Sequence, residues 1–515
     1  MIKYLSTKTI QSKGGCSFMC TSIQYFGEVC IKRFMELEEN LYKDPSKFTD
    51  YIAGIQEEVN KLGCKVIEET LEEMDKLICN SPKRKKHWHV EDHDEKDLLT
   101  PLGKVSFSKT LYAHKENQTA EGKQEMCYLL DKALGFTENE RMTDDVKAQI
   151  YEEAVQTSYR RGGEAASIID IVSKSAVKDL LHKTKFPPNF VAPKKKKVVE
   201  DLHIEADEDH FHLQFQNEKG DLEIDKNGRK INGAISKIIY IHEGIVPEAP
   251  GSKRNKLVDV HYFCRGTKQS NQDLWKEIYA YLDATYDLEK VKKIYVHADG
   301  GTWIKEGMKS IAGVKYVLDE FHLSKYVSKM IRHMKDTEDD ARSEVYQTIR
   351  RENKKTFLEL VERLKGCTDD EGVLKRIDEG ADYIANNWSA AKLRLNKDEG
   401  LVGSSTEGHV YHILSKRMST DPLGWSRHGA EQMAHLLEYY FNKGDMLELA
   451  KYQKKVLPVA AGAEELTASA SEMLKSENRP RSRQQQEYAK YSDAMSATLA
   501  LQKRKQYVFY TNRWI

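Results

Sequence analysis

The chain is predicted to be an α/β protein built on a mixed sheet with helices on its faces. After a proline- and lysine-rich stretch, three strand patterns follow one another at about 202–215, 234–246 and 256–265. A helical pattern around Leu274, Ile278 and Leu282 separates them from a buried-strand run, Ile294-Tyr295-Val296-His297-Ala298, cut off by Asp299-Gly300-Gly301. A short helix from Trp303 then leads to a fifth strand, Val314 to Leu318, and after several more helices to one opened by Glu407. Short apolar or alternating runs bounded by glycine read as strands, and a 3.6-residue apolar spacing reads as helix.

Three strands, helix, strand, helix, strand, helix is the ribonuclease-H order, so the expected core is a ribonuclease-H-like mixed sheet. This catalytic domain is expected at 200–322 and 399–440, with a helical insertion at 323–398. Ahead of it lies a mainly helical N-terminal DNA-binding region. Residues 1–80 read as helices from Phe34-Met35-Glu36-Leu37 and the Ile52, Ile55, Val59, Leu62 spacing. Residues 81–185 read as a small strand segment, at Val105, Phe107 and Leu111, followed by a helix-turn-helix. Pro187-Pro188, Pro193 and four lysines mark a linker at 186–199. Residues 441–515 read as a C-terminal helical region with a basic kink at Arg479-Pro480-Arg481.

Composition narrows the function classes. A chain of 515 residues has room for several buried cores, and 31% charged residues fit a soluble globular protein. No run approaches the ~20 apolar residues of a membrane span and no signal-peptide pattern is present, so a cytosolic location is expected. Lys plus Arg and Asp plus Glu both number 81, so any nucleic-acid contact must be patchy rather than global. Eight cysteines at irregular spacing suggest reduced thiols. Neither Cys16, Cys20 and Cys30 nor His87, His89 and His93 has the paired spacing of a zinc site, so structural roles are expected.

Three acids carry the chemistry. Asp207 follows Leu202-His203-Ile204-Glu205-Ala206 on the first strand, Asp299 ends the fourth, and Glu407 opens a helix after Gly403-Ser404-Ser405-Thr406. Carboxylates at strand ends and on a neighbouring helix can converge on two hard cations roughly 3.5–4 Å apart. Gly300 and Gly301 would let a phosphate or metal approach the backbone. Glu205 and Asp209 share the strand face of Asp207 and compete for its role. Glu407 has a rival explanation, because Ser404-x-x-Glu407 fits a capping box; Glu431 is the second candidate for its place. Asp319 and His322 form an Asp-x-x-His pair after the fifth strand, where the histidine would position a phosphate or a water, or else close a packed turn.

Candidate DNA contacts are scattered. Lys83-Arg84-Lys85-Lys86, with Trp88 close behind, pair charge with an aromatic, although a solvated basic loop is the plainer reading. In the expected helix-turn-helix, Gly162-Gly163 precedes an Ala-rich helix. Ser173 or Ser175 would cap a second helix presenting Lys174, Ser175 and Lys178 to the major groove; an ordinary helix pair explains the pattern nearly as well. Lys194, Lys195, Lys196 and Lys197 read as a linker touching phosphates. Trp388, in the insertion, is expected to be core, with base stacking as the minority alternative.

Asp207 in its strand, His-Ala-Asp-Gly-Gly-Thr-Trp-Ile-Lys at 297–305, Leu-Asp-Glu-Phe-His-Leu at 318–323 and Thr-Glu-Gly-His-Val at 406–410 together resemble a bacterial insertion-sequence transposase group. That group is the ISLre type within the DDE superfamily, similar to mutator-like transposases, and the resemblance covers about residues 80 to 440. Arg417-Met418 and Trp425 also look like its pattern, and Arg417 joins the candidate DNA contacts. The resemblance implies catalytic, metal-binding roles for Asp207, Asp299 and Glu407 and an accessory role for His322. It also implies two Mg²⁺ ions, with Mn²⁺ accepted. The partners would be double-stranded DNA, both element inverted repeats and target, and further copies of the chain on paired ends. The expected activity is DNA cleavage and strand transfer. Its rivals are a ribonuclease-H-like nuclease without strand transfer and a domesticated DNA-binding regulator, which the presence of all three acids disfavours.

Overall fold

The computed structural model describes residues 21–118, 122–137, 139–267, 269–397, 400–420, 424–456, 470–475 and 485–497. Cys16, Cys20 and the Arg479-Pro480-Arg481 kink lie outside the described residues. The chain divides into two compact units, one formed by Met1–Ile150, Gly163–Val172 and Lys454–Ile515, the other by Tyr151–Gly162 and Ser173–Gln453.

A six-stranded mixed sheet forms the second unit's centre. Its strands are β1 (Asp201–Leu213), β2 (Gly233–His242), β3 (His261–Arg265), β4 (Lys293–Ala298), β5 (Val314–Leu318) and the short β6 (Gly424–Trp425). The spatial order is β3-β2-β1-β4-β5, and β6 pairs with the last residues of β1. β2 runs antiparallel to β1 and β3, whereas β4 runs parallel to β1 and β5. The second and third expected strands are shorter than their sequence patterns. Ile245–Pro247 and Asn255–Leu257 leave the sheet and pair with each other instead.

Period-two alternation gives β1 two distinct faces. Leu202, Ile204 and Ala206 enter an apolar core with Ile239, Ile241, Val296 and Ala298 and with Leu274, Trp275 and Ile278 of helix α1 (Asn271–Thr285). Fully burying one such large side chain is worth about 1.5–3 kcal/mol, so this face anchors the sheet. Ser270 starts α1 by accepting the Asp273 amide at 3.1 Å, an N-cap that fixes where the helix leaves β3. The opposite face of β1 carries His203, Glu205 and Asp207, all buried.

Helices α2 (Glu320–Ile331), α3 (Glu338–Arg351), α4 (Lys354–Lys365), α5 (Glu371–Asn386) and α6 (Trp388–Asn396) follow β5. They enclose their own core, including Val327, Met330, Ile349, Phe357, Leu360, Ile377 and Ile384. Gly380 lets α5 press against α2, since a Cβ there would stand 2.8 Å from the Tyr326 carbonyl. Trp388 packs on Phe357 with ring centroids 5.3 Å apart, as expected of a core aromatic. The insertion thus begins slightly earlier than its apolar pattern suggested, because Asp319 caps α2 directly after β5.

In the first unit, the 33-residue helix Phe48–Asn80 packs on an antiparallel sheet of Trp88–Thr100, Gly103–Gln118 and Gln124–Cys127. Trp88, Leu98, Val105, Phe107 and Tyr112 form its core with Leu71 and Ile78 of the helix.

Several DNA-contact expectations are corrected here. The basic run is a helical turn, Pro82–His87, rather than a loop. Arg84 is buried, donating to the Cys79 carbonyl at 2.9 Å and the Trp88 carbonyl at 3.3 Å, and Trp88 is 4% exposed. Neither reaches a ligand. Lys83, Lys85 and Lys86 stay exposed, with Lys83 paired to Glu472. The Ala-rich helix of the expected helix-turn-helix does not form. Gly162 and Gly163 lie inside a short helix, Tyr159–Glu164, and 165–173 is irregular. The Ile168 amide bonds the Pro101 carbonyl and the Val172 amide bonds the Gly163 carbonyl, so these groups are spent outside a helix. Ser173 does cap Lys174–Lys183, leaving Lys174, Ser175 and Lys178 exposed. Lys194, Lys195 and Lys196 are exposed as well. The 186–199 stretch lies inside the second unit, where Lys197 exchanges backbone bonds with Thr285 and Asp287, each 2.8 Å. Its ammonium pairs with Glu243 at 2.8 Å and Asp259 at 2.7 Å.

Candidate active site

Parallel pairing sets the first two acids side by side. Ala206 of β1 stands opposite Ala298 of β4, so the next residues in register are Asp207 and Asp299. Both belong to the odd-numbered face, with His203, Glu205, Tyr295 and His297. Asp207 accepts the Glu208 amide at 2.8 Å, and Asp299 accepts the Gly301 amide at 2.9 Å. Gly300 turns the chain with φ +100, a left-handed conformation that suits glycine. A Cβ at Gly300 would also stand 2.9 Å from Asn387 Oδ1.

The electrostatics identify the charges that act on Asp207. Burial lifts the Asp207 carboxyl to about 7, with the negative charges of Asp299 and Glu407 adding to the rise, while its bond from the Glu208 amide and nearby His322 oppose it. Glu407 and His322 therefore act on the same carboxylate as Asp299, although Glu407 is 200 positions away in the numbering (407 − 207). Among the described residues, no three such side chains already stand where they would wrap a metal ion. The donor set nonetheless suits a hard divalent cation, which would offset the burial and the carboxylate repulsion that together raise Asp207.

Glu407 sits exposed in the first turn of a helix running from Thr406–His409 into a π-helical segment, Val410–Ser415, and Lys416–Met418. The capping box suggested by Ser404-x-x-Glu407 is absent, because the Ser404 hydroxyl turns to Glu205 at 3.1 Å. Glu205, one of the two rivals to Asp207, is fully buried and fully engaged. It accepts the Ser405 amide at 2.9 Å, the Thr406 hydroxyl at 2.5 Å, the Ser405 hydroxyl at 3.2 Å and His242 Nε2 at 3.2 Å. Burial alone would raise its carboxyl, but His242, His297 and Thr406 hold it far below the ordinary range. Glu431 is no substitute for Glu407, since it is buried on α7 (Arg427–Phe441) and pairs with His435 at 3.4 Å.

The Asp-x-x-His pair forms the start of α2. Asp319 Oδ2 accepts the His322 amide at 2.9 Å, capping α2, and lies 3.1 Å from His322 Nδ1. The Asp319 hydrogen bond raises His322 toward imidazolium, against the effect of burial, and the charges of Asp207 and Asp299 push the same way. Among the described residues, none hydrogen-bonds His322 Nε2.

Three insertion residues that sequence reasoning passed over also belong here. Tyr383 of α5 donates to the Asp299 carbonyl at 2.5 Å, and Asn387 lies over Gly300. Arg394 of α6 donates to the Leu318 carbonyl at 3.0 Å, the Val402 carbonyl at 2.9 Å and His297 Nδ1 at 2.7 Å. Since guanidinium can only donate, His297 accepts at Nδ1 and presents Nε2–H to His203, 3.1 Å away. No local sequence signal marks these three. Arg417, expected at DNA, is buried and donates to the Ala154 carbonyl at 2.9 Å beneath the rings of Tyr159 and Trp425.

The model of an uncharacterised protein family, UPF0236, matches residues 41–455. The chain belongs to that family. UPF0236 proteins of Caldanaerobacter subterraneus subsp. tengcongensis are among its relatives. One is 34% identical over 85% of this chain and 86% of its own length, and its name carries eleven locus designations. A second is 34% identical over 84% of this chain and 86% of its own length, with four designations. The family therefore has many paralogues in one genome. A solved Drosophila P element transposase strand transfer complex aligns with 61% of this chain and 81% of its own, at 10% identity and a TM-score of 0.19. So low a score carries no argument about fold or function. No helix among the described residues is long and apolar enough to cross a membrane.

Proposed function

We propose that the chain is a DNA transposase with a ribonuclease-H-like catalytic domain, cleaving element ends and joining them to target DNA. One observation carries the reading: Asp207 and Asp299 stand in register on adjacent parallel strands, with Glu407 and His322 acting on the same carboxylate. The strand order β3-β2-β1-β4-β5, antiparallel on one side and parallel on the other, supports the fold. Relatives encoded at many loci of one genome support mobility.

In this reading Asp207, Asp299 and Glu407 hold two Mg²⁺, or Mn²⁺ in their place. When bound, the ions supply an activated water at neutral pH and charge stabilisation at the leaving oxygen. The chain's own residues do the rest. β1 and β4 fix two carboxylates on a rigid sheet, and the Glu205-anchored helix brings the third. His322, turned by Asp319, offers a cationic donor to a phosphate oxygen. Catalysis of this kind is positioning and charge stabilisation, so loss of one carboxylate should stop turnover and spare DNA binding. The test is Asp299→Ala with terminal inverted-repeat DNA: a retained gel shift without cleavage is expected, and normal cleavage would contradict the reading. Joined products from the unmodified protein distinguish transposition from simple hydrolysis. The exposed Lys83, Lys85, Lys86, Lys174, Ser175, Lys178, Lys194, Lys195 and Lys196 are the proposed DNA contacts, and pairing of two ends would call for further copies of the chain.

A further inference from the structure

We infer that Glu205 is a positioning residue for Glu407, fixing the start of the Glu407 helix relative to Asp207. The inference rests on the transposase reading and deepens it. Glu205 has no solvent exposure and collects the Ser405 amide and the hydroxyls of Ser404, Ser405 and Thr406 on its carboxylate. His242 Nε2, on β2, lies 3.2 Å from Oε1. A carboxylate this deep is tolerated because its lone pairs are so fully used.

The helix gives up its own cap to make these bonds. Ser405, at the N-cap, accepts no side-chain capping bond, and Ser404 takes the Thr406 amide only at 3.5 Å, although serines there would ordinarily cap more closely. Their hydroxyls turn to β1 instead. Glu407, the next residue after Thr406, makes no hydrogen bond to any described side chain, so its position depends on where the helix begins. A π-helical segment follows at Val410–Ser415, and π turns mark helices whose register departs from the ordinary α ladder. Beside this anchor, the Tyr240 hydroxyl lies 3.0 Å from Ser405 Oγ and the Tyr262 hydroxyl 3.0 Å from His409 Nδ1, while Glu205 takes four donors from 404–406.

Glu205 and Asp207 point to the same face of β1, two residues and roughly 7 Å apart. A single rigid strand therefore carries one proposed ligand and the tether of another. Glu205 touches neither DNA nor metal in this scheme; its effect passes through the 404–406 segment.

The experiment compares Glu205→Gln with Glu407→Gln in the full-length protein, using Mn²⁺ alone as the probe. The carboxamide keeps the shape but removes the negative charge and turns one acceptor oxygen into a donor. Glu205→Gln is expected to speed amide exchange across 404–409 at least tenfold in metal-free protein. It should also weaken Mn²⁺ binding about tenfold at one site and leave the gel shift on inverted-repeat DNA intact. Glu407→Gln should weaken the same Mn²⁺ site without changing exchange. Unchanged exchange or unchanged Mn²⁺ binding in Glu205→Gln overturns the positioning role. Unchanged Mn²⁺ binding in Glu407→Gln overturns the proposed active site itself, a separate failure. Should Glu205→Gln not fold, Thr406→Val removes one donor with little change of shape and is judged by the same two outcomes.

Discussion

The Tyr383 hydroxyl donates to the backbone carbonyl of Asp299 at 2.5 Å, tying the helical insertion to the turn that carries the second acid. Asn387, one turn further along, donates back to the Tyr383 carbonyl at 2.9 Å and walls the space above Gly300. Tyr383→Phe removes that bond and nothing else. The stability cost should be modest, about 1 kcal/mol. Cleavage should fall more, roughly ten- to a hundredfold, because a small shift of a reacting group is costly. Oligonucleotide cleavage beside a thermal melt would show this. Full activity with a lowered melting temperature would assign Tyr383 to stability alone.

Asp207 makes stability depend on pH in a definite direction. With its carboxyl raised to about 7 chiefly by burial, the folded protein keeps a proton there that the unfolded chain has released. Stability is therefore lost as pH rises from about 4 to about 7, and stays lost above that. A shift of this size corresponds to something on the order of 4 kcal/mol. Asp207→Asn, which cannot ionise, should melt well above the unmodified protein at pH 8 in chelator, with a much smaller gap at pH 5. Adding Mg²⁺ should narrow the gap at pH 8. An equal gap at both pH values would show that ionisation of Asp207 is not the cause.

The alternation of β1 and the glycine stop after β4 made the sheet legible, because period-two burial and a forced turn are local properties. Pairing Asp207 with Asp299 followed from strand order alone. Burial of a charge is not local, and there the sequence misled. Arg84, Trp88 and Arg417 look like ligand contacts until the Cys79, Trp88 and Ala154 carbonyls that occupy the arginines are seen. Ser404-x-x-Glu407 spells a capping box, but the competing acceptor, Glu205, lies on a strand 199 positions earlier (404 − 205). Tyr383 and Arg394 sit within helices and Asn387 at the junction between two of them, and nothing in their local pattern points back to β4.

Arg394 should be the most damaging single loss in the insertion. It is 6% exposed and serves the Leu318 carbonyl, the Val402 carbonyl and His297 together. Arg394→Met would strand three buried acceptors and is expected to cost about 3–5 kcal/mol, read by urea denaturation. Arg394→Lys should rescue little, because a single ammonium cannot match the planar fork that reaches all three. Recovery of more than half the loss by lysine would mean that charge, rather than geometry, holds these segments together.

Arg417 and the lysines at 194 and 195 separate structural from DNA-facing charge. Arg417 lies beneath Trp425, 4.9 Å from the ring centroid, and the Trp425 indole donates to the Met418 carbonyl at 2.9 Å. Arg417→Lys loses the planar stack and the bond to Ala154, so it should lower the melting temperature by the equivalent of about 2 kcal/mol. Because the guanidinium faces no solvent, the slope of log affinity against log salt should not change. Lys194 and Lys195 are exposed, and their double replacement by alanine should leave the melt alone and flatten that slope by about 2 if both touch phosphates. Measuring the slope for both variants decides the matter. A flattened slope for Arg417→Lys, or none for the double variant, would reverse the assignment of these charges.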